Sequence, residues 1–211
     1  MFEVTAPAGD LNLLTIEELR VAVGLASDDD AQDARLETLG KRVSSMISAA
    51  CLVVRDGSSP PTLLLEGCRD TFRLKCSQSF LQLSRKPVYQ MVSVTAGGSL
   101  LVQDVDYEVD IASGKLIRLS GDSETCWAAC KTVVEYDAGL DPVPEDLKAI
   151  AAQLAGGYWA DDGADPMEKK LSIPGVIDIE RWVDAGADSQ MPADIMQRLI
   201  DGGYVNRAMV Y

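Results

Sequence analysis

The chain has 211 residues, 47% of them hydrophobic and 25% charged, a balance that suits one medium-sized domain, or a domain with an arm, folded around its own core. It carries 33 Asp and Glu against 19 Lys and Arg, a net charge of −14 with an isoelectric point near 4.3, which disfavours nucleic-acid binding through a basic patch. It has no histidine, which excludes Ser-His-Asp and Cys-His nucleophile systems and most transition-metal sites and leaves an enzyme only carboxylate, lysine or magnesium chemistry.

No stretch approaches the ~20 apolar residues of a membrane-spanning helix, so no membrane partner is expected. Met1-Phe2-Glu3-Val4 lacks the basic and apolar regions of a secretory signal, and synthesis in the cytoplasm is the expectation. The cysteines, Cys51, Cys68, Cys76, Cys126 and Cys130, contain no Cys-x-x-Cys pair, and without histidine only an all-cysteine zinc site could form. Reduced, partly buried thiols are expected instead, with no metal, no cofactor and no catalytic residue.

Residues 1–14 read as an extended lead-in. Thr15-Ile16-Glu17-Glu18 is a capping box, in which the Thr15 hydroxyl and the Glu18 carboxylate each accept from the other's backbone N–H. A short helix follows, with Ile16, Leu19 and Val23 on one face and Gly24 as its stop. Ser27 with Asp28, Asp29 and Asp30 opens a second helix, placing negative charge at the positive end of its dipole. Its apolar positions Leu36, Leu39, Val43, Ile47, Ala50 and Val54 recur every three or four residues, which predicts a long amphipathic helix.

Asp56-Gly57-Ser58-Ser59-Pro60-Pro61 ends the helical part, and from about residue 62 to 137 the period becomes two. Phe72, Leu74 and Cys76 alternate with Arg73 and Lys75, and Gly97-Gly98 and Ser113-Gly114 are hairpin-type turns. This predicts an antiparallel region of five to seven short strands. Over residues 103–111, Asp104, Asp106, Glu108 and Asp110 fall on one side of a strand, with Val105, Tyr107, Val109 and Ile111 on the other. Four carboxylates spaced along a strand diverge, which disfavours a cation site and leaves an acidic face toward solvent or a lumen.

Asp141-Pro142-Val143-Pro144-Glu145-Asp146 starts a further helix, with Leu147, Ile150, Ala151, Leu154 and Tyr158 as its buried stripe and fraying expected near Gly156-Gly157. Residues 161–166 read as a polar linker, 169–183 as one more strand interrupted by Pro174-Gly175, and about 192–201 as a last short helix with Ile195 and Leu199 inward. The predicted class is α+β: a bundle of the N-terminal helices and the Pro-led helix with an inserted antiparallel β-region, all within residues 1–160, then a linker, strand and C-terminal arm in 161–211. Neither Gly97-Gly98 nor Gly156-Gly157 has the spacing or the following Lys of a phosphate loop.

Five pieces stand in an unusual order. Leu14-Thr15-Ile16-Glu17-Glu18-Leu19 precedes Ser27-Asp28-Asp29-Asp30, and Arg85-Lys86-Pro87-Val88 leads into Val92-Ser93-Val94. Asp106-Tyr107-Glu108-Val109-Asp110 precedes Gly114-Lys115-Leu116. Val133-Val134-Glu135-Tyr136-Asp137-Ala138-Gly139 is followed by Val143-Pro144-Glu145-Asp146-Leu147-Lys148, and Met191-Pro192-Ala193-Asp194-Ile195 runs on to Leu199-Ile200. Together they resemble the head–tail connector, or adaptor, proteins of long-tailed double-stranded DNA phages and gene transfer agents, over nearly the whole chain. Extra material around residues 56–82 and 167–189 and a less basic tail depart from compact members.

The resemblance implies a non-enzymatic virion protein at the head–tail junction, a ring of about twelve copies in which each subunit needs two different complementary flanks. Its implied partners are a portal protein on one side and a stopper or tail-completion protein on the other, with duplex DNA passing through unbound. The arm over about residues 191–211 is the expected portal-docking element, through Ile200, Tyr204, Asn206, Arg207, Met209, Val210 and Tyr211, because Tyr, Arg and Met are enriched at interface cores. The alternative for the arm is an ordinary final helix packed back on the body. The alternatives for the whole chain are another head–tail joining component, a soluble protein-binding module, or a carboxylate-dependent hydrolase.

Overall fold

Helical stripes and period-two alternation sort the chain into an α+β fold, seen in a computed structural model that describes residues 1–162, 170–173, 177–180 and 191–206. Two compact units result. The β-unit holds residues 1–11 and 51–144 with Asn206, and the helical unit holds residues 12–50 and 145–205.

In the helical unit, α1 (Ile16–Ala22) begins at the capping box: the Thr15 hydroxyl accepts from the Glu18 N–H at 3.3 Å, and the Glu18 carboxylate accepts from the Thr15 N–H at 2.8 Å. Helix α2 (Asp33–Ala50) buries Leu36, Leu39, Val43 and Ile47. It starts after the Asp triplet rather than at it. Arg20 grips Asp33 through two bonds of 3.0 and 2.6 Å and donates to the Ser27 carbonyl, so the triplet lies in the connecting turn.

Helix α3 (Glu145–Asp162) buries Leu147, Ile150, Ala151 and Leu154 and runs straight through Gly156-Gly157, where fraying was expected. A Cβ on Gly156 would stand 3.0 Å from the Ala22 carbonyl. The glycine's helix penalty of about 1 kcal/mol is therefore offset by the close approach of the end of α1. Lys148 ties the two helices at their other end, 2.9 Å from Glu18 and 3.2 Å from Glu145. The short C-terminal helix, α4 (Ala193–Asp201), belongs to the same unit.

The β-unit contains β1 (Phe2–Ala6), β2 (Glu66–Arg73), β3 (Phe80–Gln82), β4 (Val88–Ala96), β5 (Ser99–Leu101), β6 (Tyr107–Asp110), β7 (Lys115–Ser120), β8 (Ser123–Thr125) and β9 (Lys131–Ala138). Five of them form an antiparallel sheet in the order β1-β2-β9-β4-β5, while β3, β7 and β6 form another with β8 on β7. Strand β1 comes from residues that read as a lead-in. Alternation in β9 turns Thr132, Val134, Tyr136 and Ala138 inward, against Cys68, Val94, Leu116 and Trp127. The Trp127 indole N–H finds the Leu116 carbonyl at 3.2 Å, which satisfies the polar edge of a ring only 1% exposed. Gly139 ends β9 at φ +126, and a Cβ there would stand 2.3 Å from the Leu64 carbonyl oxygen, so no other residue fits. In the helical unit, the predicted strand over 169–183 is a pair, β10 (Lys170–Ile173) and β11 (Ile177–Glu180), antiparallel with Lys170 opposite Glu180.

A buried charge pair sits inside the β-unit. Arg85 is 7% exposed and donates to the carboxylate of Glu66, itself 2% exposed, and to the Thr62 carbonyl. The backbone N–H of Arg85 donates to the Tyr136 hydroxyl at 3.1 Å, which donates onward to Asp70 at 2.8 Å. Ser84 gives Asp70 two further bonds, of 2.7 and 2.8 Å. Burial pushes the Glu66 carboxyl above its ordinary value, and the charge of Arg85 opposes that shift.

Replacing Arg85 with Ala strands the Glu66 charge, and urea unfolding at neutral pH should show a loss of about 3–5 kcal/mol. The loss should shrink as pH falls toward the carboxyl's value, because protonation neutralises the stranded group. A loss independent of pH would rule out the buried charge as its cause.

Candidate interaction surfaces

The C-terminal segment is anchored rather than free as far as it is described. Helix α4 follows Pro192 and turns Ile195 and Leu199 inward, 1% and 0% exposed. Arg198 donates to Gln153 at 2.7 Å, and the Tyr204 hydroxyl donates to Asp146 at 2.7 Å, both partners lying on α3. Val205 is buried, and the Asn206 N–H reaches the Cys51 carbonyl at 2.9 Å in the β-unit. Residues 191–206 thus do not leave the body as an arm, because the apolar side chains at 195, 199 and 205 need cover. Of the residues expected to dock, Ile200 is half-buried on α4, and Tyr204 and Asn206 are tied down. Arg207, Met209, Val210 and Tyr211 lie outside the described residues.

The acidic run departs from its sequence reading. Strand β6 covers only Tyr107–Asp110. Asp104 sits in the preceding turn at φ 62, a left-handed conformation that Asp tolerates, and it breaks the period-two pattern. Asp106 accepts the Val102 N–H at 2.9 Å and pairs with Arg118 at 3.4 Å, and these contacts hold its carboxyl below the ordinary value. Asp110 caps the next turn, taking the Ser113 hydroxyl at 2.6 Å and the Ala112 N–H at 3.1 Å, and is held low in the same way. Glu108 and Asp110, two residues apart on β6, are both exposed. Asp106 and Asp110 therefore build turns, and Asp104 stands outside the strand that carries Glu108 and Asp110. Val105 and Ile111, expected on the side opposite the acids with Tyr107 and Val109, are 60% and 55% exposed, whereas Tyr107 is buried.

Among the described residues no group of His, Cys, Asp and Glu could hold a metal. All the cysteines are free, and burial pushes the Cys51 and Cys68 thiols up to about 12.

Two surface features were not read from sequence. Strand β4 carries register shifts against β9 at Tyr89 and at Val92, and both side chains are exposed, at 53% and 60%; a bulge re-aims the residue it inserts. In the helical unit, the Arg35 guanidinium lies 4.1 Å from the centre of the Trp159 ring, and that of Arg42 lies 4.9 Å from the Tyr158 ring. The signal was present: Arg35 and Arg42 stand two turns apart on α2, and adjacent aromatics close α3. Tyr158, expected in the buried stripe of α3, is half-buried beside Arg42.

No family model matches the chain, and no curated protein matches it. Among solved structures, a chain from the neck of an empty gene transfer agent (GTA) particle superposes with a TM-score of 0.53 at 18% identity, over 79% of this chain and 88% of that one. A chain from the virion of a native GTA particle gives 0.54 at 16% identity, over 80% and 89%. The fold is shared with chains of gene transfer agent particles. At these identities the likeness is one of fold.

Deleting residues 204–211 should cost stability, since it removes the buried Val205 and the hydrogen bonds of Tyr204 to Asp146 and Leu199 and of Asn206 to Cys51, roughly 2–5 kcal/mol in all. The melting temperature should fall by about 5–15 °C. A melt unchanged within two degrees or so would show that this end contributes nothing to the body.

Proposed function

We propose that this chain is a structural component of a head–tail particle: the adaptor, a ring of about twelve copies joining the portal to the stopper or tail. The observation that carries this reading is the likeness of fold to a GTA neck chain across 79% of the chain, at nearly full coverage of the other. The ordered motifs support it from a separate direction, since they run from the capping box to α4. Composition is compatible: with a net charge of −14, a lumen built from this protein does not grip phosphates, and DNA slides past. Portal docking is assigned to the C-terminal end, with Arg207, Met209, Val210 and Tyr211 beyond the anchored Asn206 as the contacting residues and Ile200, Tyr204 and Asn206 as their base. The acidic turns around Asp104, Asp106, Glu108 and Asp110 face the lumen or solvent.

The test is to mix the purified chain with the portal protein of the same particle, measure its mass with and without portal, and image the product by electron microscopy. Subunits that are monomeric or partly assembled alone, and a uniform ring on the portal, are the expected result. A stable dimer in both conditions excludes cyclic assembly.

A further inference from the structure

The outward face of the five-stranded sheet carries an unbalanced charge at one end. Phe72 on β2 packs against the core, as does Leu74 just beyond it, which turns Arg73 and Lys75 away from the core. On β9, Thr132 and Val134 are buried, which turns Lys131 out on the same side. Arg73 stands directly opposite Lys131 in the antiparallel register. The Leu74 N–H donates to the Cys130 carbonyl at 3.1 Å, so Lys75 is the next outward residue beyond that pair. All three cations are exposed. Like charges placed opposite each other destabilise a strand pair, and sequences keep such local conflicts mainly where function needs them.

Arg20, Arg69, Arg85, Arg118 and Lys148 each hold a carboxylate. Arg73, Lys75 and Lys131 hold none among the described residues. The acids nearest on the same face, Glu3 and Glu135, are bound to Arg69, and Glu135 lies four residues along β9 from Lys131, about 13 Å away. Between them, Thr71 and Thr95 flank Val133 in register and add two hydroxyls to the outward face. Guanidinium, ammonium and hydroxyl groups all donate to oxyanions, and bonds from the charged ones are the stronger. This end of the sheet is built to receive an anion.

The chain carries a matching anion in its helical unit. Asp28-Asp29-Asp30 lies in the turn between α1 and α2, before the helix it was expected to open. Only Asp29 has local work, accepting the Ala31 N–H at 3.2 Å. Asp28 and Asp30 are exposed, and the nearby Arg20 is taken by Asp33. None of the three has an ion pair among the described residues. We propose that the Arg73–Lys75–Lys131 patch of one copy receives the Asp28–Asp30 turn of the next. Charge selects the occupant: three unpaired cations meet three unpaired carboxylates, on a chain whose net charge of −14 opposes most other approaches of a second copy. A duplex phosphate backbone is the poorer occupant, because three cations make few phosphate contacts and the net charge repels it. The two patches differ, so the contact is heterologous, the kind a ring requires. This inference rests on the adaptor reading and names a contact between its subunits.

Cross-linking and a charge swap test it. A carbodiimide joins a carboxylate to a touching ammonium as an amide, with loss of water. Applied at low salt to a concentrated mixture of isotopically heavy and light chain, it should link the Asp28–Asp30 peptide of one copy to the Lys75 or Lys131 peptide of another, read by mass spectrometry. Variant one carries Arg73→Glu and Lys131→Glu, and variant two carries Asp28→Lys and Asp30→Lys. All four positions are exposed, and melts within a few degrees of the parent confirm folding. Sedimentation at low salt, where exposed charges are least screened, is expected to show self-association of the parent, weaker by roughly ten-fold or more for either variant alone. An equimolar mixture should regain the parent's behaviour, because complementary patches then meet. Absence of the heavy–light link overturns the contact, as does a parent that stays monomeric or a variant that associates like it. A duplex-DNA gel shift by the parent that variant one abolishes overturns it in favour of phosphate. A ring that still forms on the portal while these tests fail sinks this contact alone, whereas no ring on the portal sinks the adaptor reading.

Discussion

The β-unit is organised around a guanidinium withdrawn from water. A charge as secluded as Arg85 is tolerable only if every neighbour serves it, and those neighbours come from separate stretches of chain. Thr62 and Glu66 lie before and within β2, and Tyr136 on β9 accepts the Arg85 N–H. Through Tyr136 and Asp70 the same network holds Ser84. Even β1 depends on this region, since Phe2 lies 5.8 Å from the guanidinium and Ala8 donates to Glu66 at 3.4 Å. One buried cation thereby sets where β1, β2, β9 and the approach to β4 meet, a specificity that apolar packing alone supplies less sharply.

The helical unit works on the opposite principle, with its charges kept at the surface. Arg20 on Asp33 holds the turn between α1 and α2, and Lys148 joins α1 to α3. Pairs exposed to this degree add little to stability. Their value is geometric: they hold α1 against the start of α2 and against α3.

Local chemistry was legible in the sequence wherever it was decided locally. The capping box at Thr15, the stripe of α2, the start of α3 at Glu145 and the inward pair Ile195 and Leu199 all follow from neighbours within one or two turns. What was illegible depended on distant partners. Phe2–Ala6 is five residues long and becomes a strand only because β2 lies beside it. Gly156 reads as a break until the end of α1 is placed against it. Nothing beside Arg85 in the sequence announces Glu66 as its partner. The acidic run kept a perfect period of two through Asp104, where the backbone turns left-handed, and a side-chain pattern does not report φ. The contacts of Arg35 with Trp159 and of Arg42 with Tyr158 required α2 and α3 to be brought together.

The central claim is that this chain joins a head to a tail. Electron microscopy of particles from producing cells that lack the chain tests it most directly, alongside cells in which the chain is restored. The account predicts DNA-filled heads with a bare portal end and no attached tails when the chain is missing, and complete particles on restoration. Complete tailed particles assembled in its absence would contradict it.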